Sequence, residues 1–220
     1  MSGVTISGVR RAVAKPFAVG VAIVALGVGA GVAWAAVTDN IVPIGAGQTA
    51  CHDEGSMPDG KALCQSDNAG LSYYMDSGGT NALEEFDKTV VRTVMEAEFE
   101  PTDLSVGYDS TPAFSGAAET DIVYEESGIG VGSGSVGTTF CNDAVDSLRC
   151  DQTYIRILGG GEYDYGTTCH ETGHGVGLTH GDQAHPQVPR TDSRLGCLAN
   201  PAPNSAKLGA NNRDNINLTY

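Results

Sequence analysis

The sequence predicts an α+β fold built on one mixed sheet, and three observations predict it. Five short β-prone runs are separated by Gly, Ser, Pro and Asp clusters. One long amphipathic stretch divides the first of these runs from the other four. A strand, a helix and four strands in that order make a five-stranded sheet with the helix laid on its face.

The first 36 residues stand apart from that domain. Arg10, Arg11 and Lys15 precede an almost unbroken apolar run over residues 17–36, which ends in the small-x-small sequence Ala33-Trp34-Ala35. This layout predicts a signal peptide cleaved after Ala35 or Ala36, leaving a secreted product without tryptophan, because Trp34 is the only one. The competing reading is an uncleaved anchor, since the run approaches the ~20 residues that span a bilayer. Only then would the chain meet a membrane, and the basic residues would still leave the remainder outside the cell. Residues 37–68 read as a polar, loop-rich leader with Pro43 and Pro58, and residues 69–220 as the domain.

Within the domain, Leu71-Ser-Tyr-Tyr-Met75 suits the first strand. Leu83, Phe86, Val90, Val91, Val94 and Met95 share one stripe, which predicts a helix over residues 81–99 with Asn81 and Glu84 as its capping box. Pro101 stops that helix. Four further strands are predicted over residues 104–108, 121–124, 136–141 and 153–158. The Gly-rich span 127–137 lies between two of them and reads as a surface loop. The polar tail 211–220 is expected to form a last helix.

Charge and cysteines limit the setting. The formal net charge is −15, and it becomes −18 once residues 1–35 leave with three basic residues and no acidic one. Such an excess of acid repels phosphate backbones and anionic lipid, so nucleic acid is excluded as a partner. It suits an extracellular monomer and biases it toward cationic partners. Cys51, Cys64, Cys141, Cys150, Cys169 and Cys197 are even in number, as a disulfide framework in an oxidising compartment requires. Pairing in order along the chain (51 with 64, 141 with 150, 169 with 197) is the simplest of several connectivities.

The chemistry concentrates in Cys169-His-Glu-Thr-Gly-His-Gly-Val-Gly-Leu-Thr-His180. Four helical residues turn the chain by about 400°, so His170 and His174 lie one turn apart on one face and can share a metal. Glu171 sits about 100° round from His170, beside the pair and able to act as a base. A catalytic zinc takes three protein ligands and keeps one open position. His180 is the third candidate, but an unbroken helix would leave it roughly 120° off the ligand face. Gly177 is placed to end the helix with a positive φ and return the chain. Three neutral imidazoles and a carboxylate base favour zinc over copper or iron. His52 and His185 read as loop histidines. Asp182 and the Glu125-Glu126 pair are the acids open to a structural calcium ion, but no EF-hand spacing supports one and they read as solvated loop acids.

The H-E-x-x-H-x-x-G-x-x-H pattern of residues 170–180 resembles that of the metzincin zinc metallopeptidases, in their small secreted bacterial matrixin-like form. The resemblance implies a twisted five-stranded sheet with an antiparallel edge strand, here residues 136–141, lining the cleft, and an active-site helix followed by a C-terminal helix. It implies zinc on His170, His174 and His180 with Glu171 as catalytic base, hence an exported endopeptidase that hydrolyses peptide bonds with a zinc-bound water. Substrate peptide would add to the edge strand. Metzincins also carry a methionine in a turn beneath the zinc, whereas methionine occurs here only at positions 1, 57, 75 and 95. Leu198 is the residue placed to supply that apolar floor. The departure leaves an alternative function, a non-catalytic extracellular zinc-binding module with the same fold.

Overall fold

The computed structural model describes residues 38–44, 50–53, 64–116 and 118–220. The expected export signal, including Trp34, and much of the expected leader lie outside the described residues. No helix among the described residues is long and apolar enough to cross a membrane.

The sheet contains β1 (Gln65–Ser66), β2 (Gly70–Met75), β3 (Ser105–Tyr108), β4 (Ile122–Glu126), β5 (Gly137–Ala144) and β6 (Arg149–Ile157). Strands β3, β2, β4 and β6 lie side by side and parallel, while β5 runs antiparallel to β6. The fold is therefore a mixed α/β arrangement with a largely parallel sheet and helices packed on it. All five expected strands are present. The sixth, β1, pairs only two residues with the start of β6, too few for a periodic pattern.

Parallel neighbours need a crossover, and α1 (Glu85–Val94) supplies the one from β2 to β3. It continues as a π-turn over Met95–Phe99. The predicted helix thus exists, with two corrections. Asn81 belongs to a separate 3-10 turn, and the N-cap is Glu84, whose side chain makes no capping hydrogen bond. The helix therefore starts three residues later than a cap at Asn81 would place it. The buried face is Asp87, Val91, Val94, Met95 and Glu98, so Phe86, about 100° round from Asp87, is 69% exposed.

Leu71, Tyr73 and Met75 alternate inward from β2 and meet Ile122 and Tyr124 of β4, Ile155 and Ile157 of β6, and the buried face of α1 in one core. Each such side chain contributes about 1.5–3 kcal/mol by leaving water. Two further helices complete the domain, α2 (Tyr165–Gly175) and α3 (Gly209–Thr219), the latter matching the expected C-terminal helix. Glu98 is 1% exposed and would be costly there without partners. It accepts from the Tyr165 hydroxyl, from Arg213 Nη2 at 2.6 Å and from the Leu208 amide at 3.1 Å, which joins α1 to the starts of α2 and α3.

The described part of the leader packs against this unit. Asp39 and Ile41 bridge to His185 and Leu178, and Asn40 is bonded to Asn211, Asn212 and Asn215 of α3. The cysteines pair in chain order, Cys51–Cys64, Cys141–Cys150 and Cys169–Cys197, with Cα atoms 5.3, 5.8 and 5.9 Å apart.

Candidate metal centre

Helix α2 begins where the Asp164 side chain accepts the Thr167 amide at 2.7 Å, and it carries His170, Glu171 and His174 on its second and third turns. Gly177 ends it at φ 90°, and the Leu178 amide bonds back to the Gly173 carbonyl at 2.9 Å. A side chain at Gly177 would be strained by that φ and would also meet Val42 at 3.0 Å. The reversed chain delivers His180 to the other two histidines.

The three imidazoles form one cluster, with ring centroids 4.6, 4.8 and 5.0 Å apart. His170 Nε2 lies 3.1 Å from Nε2 of both His174 and His180. Two nitrogens bound tetrahedrally to one zinc at about 2.05 Å stand about 3.3 Å apart, so the cluster fits that ion with little adjustment. The outer nitrogens fix the tautomers of two rings. His170 Nδ1 donates to the Cys197 carbonyl at 2.6 Å and His174 Nδ1 to the Leu178 carbonyl at 2.7 Å. Both Nε2 lone pairs then face inward, as ligand atoms must.

His180 differs. Its Nδ1 faces the Arg190 guanidinium, which can only donate. Arg190 is also held by its ion pair with Asp182 at 3.1 Å.

Glu171 is 4% exposed, and its Oε2 accepts the Thr139 hydroxyl of β5 at 2.7 Å. The same hydroxyl lies 2.9 Å from the Glu171 carbonyl. At Gly137, also on β5, a Cβ would come within 2.7 Å of Glu171 Oε1 and 2.9 Å of its Cδ. The antiparallel strand therefore both anchors the carboxylate and leaves room for it. His170 and Glu171 open onto a cleft of about 260 Å³, walled by residues 134–137 on one side and 199–202 on the other. The second wall is fixed to α2, since the Gly166 amide donates to the Asn204 carbonyl at 2.7 Å.

Beneath α2 lies the turn Ser193–Leu198, tied to it by Cys169–Cys197. Leu198 is fully buried, with Cδ2 2.7 Å from where a Cβ on Gly173 would stand, so only glycine admits it there. Its chain neighbour Cys197 supplies the carbonyl that orients His170. The other candidates are placed elsewhere. His185 is exposed, His52 Nδ1 meets the Ala50 carbonyl, Glu125 pairs with Arg156 at 2.7 Å, and Asp182 pairs with Arg190. Sequence reasoning missed Gly137, Thr139, Gly173 and Arg190. Gly137 and Thr139 fall within the strand expected to line the cleft, but no motif marks them.

No protein-family model matches the chain, and no curated protein matches it either.

Proposed function

We propose that this chain is an exported, zinc-dependent endopeptidase of the metzincin type. The observation that carries the reading is the convergence of His170, His174 and His180 beside a buried carboxylate, Glu171, at the wall of an open cleft. Those histidines would hold zinc, which supplies a Lewis acid that polarises a carbonyl and brings the pKa of water toward neutrality. The protein supplies the rest. Glu171 takes a proton from the attacking water and returns it to the leaving amine. Thr139 holds one oxygen of that carboxylate in place, and Gly137 leaves room for the other. Among the described residues, β5 pairs in the sheet with β6 alone, and an extended peptide would add along its other edge as a further strand.

Substitution of Glu171 by Gln separates base from ligand. The variant should keep one zinc per chain and lose cleavage of a denatured protein substrate; undiminished cleavage would refute the assignment. Two observations favour the second reading, an extracellular zinc-binding module without turnover. Leu198 occupies the floor where the family has methionine, and Arg190 places a positive charge against Nδ1 of His180. Chelator-sensitive hydrolysis by the unaltered protein decides between the two.

A further inference from the structure

The return of the chain after α2 is held by a residue of the leader. One peptide unit joins Leu178 to Thr179 and the next joins Thr179 to His180, and Asn40 bonds to both. The carbonyl of the first unit, on Leu178, accepts His174 Nδ1 at 2.7 Å, while its N–H, on Thr179, donates to the Asn40 carbonyl at 2.6 Å. The carbonyl of the second unit, on Thr179, accepts Asn40 Nδ2 at 2.9 Å, while its N–H, on His180, donates to Gln183 Oε1 at 3.2 Å. The Thr179 hydroxyl adds a further bond to the Asn40 carbonyl at 3.1 Å. A single residue, 139 positions earlier in the chain, thus grips the two peptide units that lead into the third histidine and orient the second.

Asn40 is itself fixed. It is fully buried, and its Oδ1 accepts from Asn211 and Asn215 of α3 at 2.9 and 2.6 Å. Its Nδ2 donates to Asn212 Oδ1 at 3.1 Å as well as to Thr179. Two accepted and two donated bonds use everything a side-chain amide offers. On either side of it, Thr38 is bonded to Asn211 and Asn215, Asp39 exchanges two backbone bonds with His185, and the Val42 amide donates to the Gly177 carbonyl at 3.0 Å. Residues 38–42 form a strap laid between residues 177–185 and α3. A peptide whose N–H is engaged is a stronger acceptor at its carbonyl, so the Asn40 carbonyl reinforces the bond that orients His174. Outer partners of this kind set the direction and basicity of a ligand ring.

We propose that Asn40 is a positioning residue for the metal centre, acting through Thr179 on His174 and His180, and that residues 38–42 therefore belong to the working site and are not a pro-segment to be shed. The proposal rests on the zinc reading above. Without the strap the return segment is free to adopt other arrangements, and the apparent affinity for zinc falls in proportion to the fraction of chains that keep the three imidazoles together.

The test uses protein purified from cells expressing the full chain, stripped on a chelating resin and titrated with zinc against a chromophoric chelator, well below the melting temperature. Asn40→Ala should bind zinc about 10-fold more weakly than the unaltered protein. The visible spectrum of its cobalt-loaded form should lose the intensity of a tetrahedral site. Asn211→Ala is the comparison, because it loosens the strap from α3 and leaves every bond between Asn40 and Thr179 in place. That variant should melt earlier with little change in zinc affinity or cobalt spectrum. Equal weakening of zinc binding in both variants overturns the positioning role, since lost stability would then explain it. Asn40→Ala that binds zinc as tightly as the unaltered protein overturns the proposal and leaves the zinc reading standing, whereas an unaltered protein that binds no zinc overturns both. If Asn40→Ala does not fold, Thr179→Val decides: loss of the hydroxyl bond to the Asn40 carbonyl should weaken zinc binding about 3-fold, and unchanged affinity overturns the proposal.

Discussion

Replacing Gly137 by Ala tests whether β5 positions the catalytic carboxylate. The added methyl would lie 2.7 Å from Glu171 Oε1 and 2.9 Å from its Cγ and Cδ, where ordinary contacts begin near 3.4 Å. Glu171 must therefore retreat by about 0.5–1 Å, and its burial and its bond to Thr139 leave it little room to do so unharmed. Gly137 does not have a positive φ, so alanine suits the strand and the fold should survive. A displacement of that size in a reacting group costs about 10²-fold in rate, or about 2.7 kcal/mol of transition-state stabilisation. The assay is kcat/KM on a quenched fluorescent peptide, with zinc content and melting temperature measured in parallel. Gly132→Ala is the control, because the nearest atom to its Cβ is Ser135 Oγ at 3.8 Å. Gly137→Ala with unchanged zinc and unchanged kcat/KM would refute the reasoning, since Glu171 would then not need the position that β5 gives it.

Other consequences can be measured without substrate. Arg190→Met should tighten zinc binding about 10-fold, since it removes both a donor from His180 Nδ1 and a positive charge from beside a dication; competition with a chromophoric chelator reads this, and unchanged affinity contradicts it. Asp87 is 4% exposed, and burial, followed by its contact with Glu84, pushes its carboxyl up to about 7. A carboxyl whose folded pKa is raised contributes most stability below its unfolded value near 4 and loses that contribution as pH rises through about 7. Asp87→Asn should therefore stabilise the protein at pH 8 by about 1–2 kcal/mol and have little effect at pH 4, as followed by urea denaturation. An equal effect at both pH values would remove the titration from the explanation.

What could be read from the sequence was local. The H-E-x-x-H-x-x-G-x-x-H spacing works through a helix turn and one glycine, so the approach of His180 to His170 follows from ten consecutive peptide units. The strands were legible because alternation, as in Leu71, Tyr73 and Met75, expresses a buried face directly. The start of α1 departs from the capping box that the sequence suggests because Asn81 is engaged in a 3-10 turn of its own and Glu84 becomes the N-cap. Phe86 falls on the apolar stripe of the sequence yet is exposed, because hydrophobicity alone cannot reveal that the helix turns its Asp87 side inward. Thr139 and Arg190 left no trace because what each does depends on which strand or loop folds beside α2. Thr139 reaches Glu171 across 32 residues. Such contacts belong to the topology, and a short motif does not encode them.

The central claim is that the three histidines hold zinc and leave a position open for chemistry beside Glu171. X-ray absorption at the zinc edge, on protein loaded with one equivalent, tests it most directly. The account predicts three imidazole nitrogens at about 2.0–2.1 Å and a fourth position not filled by the protein. A sulfur ligand, fewer than three imidazoles, or a fourth protein donor would contradict it.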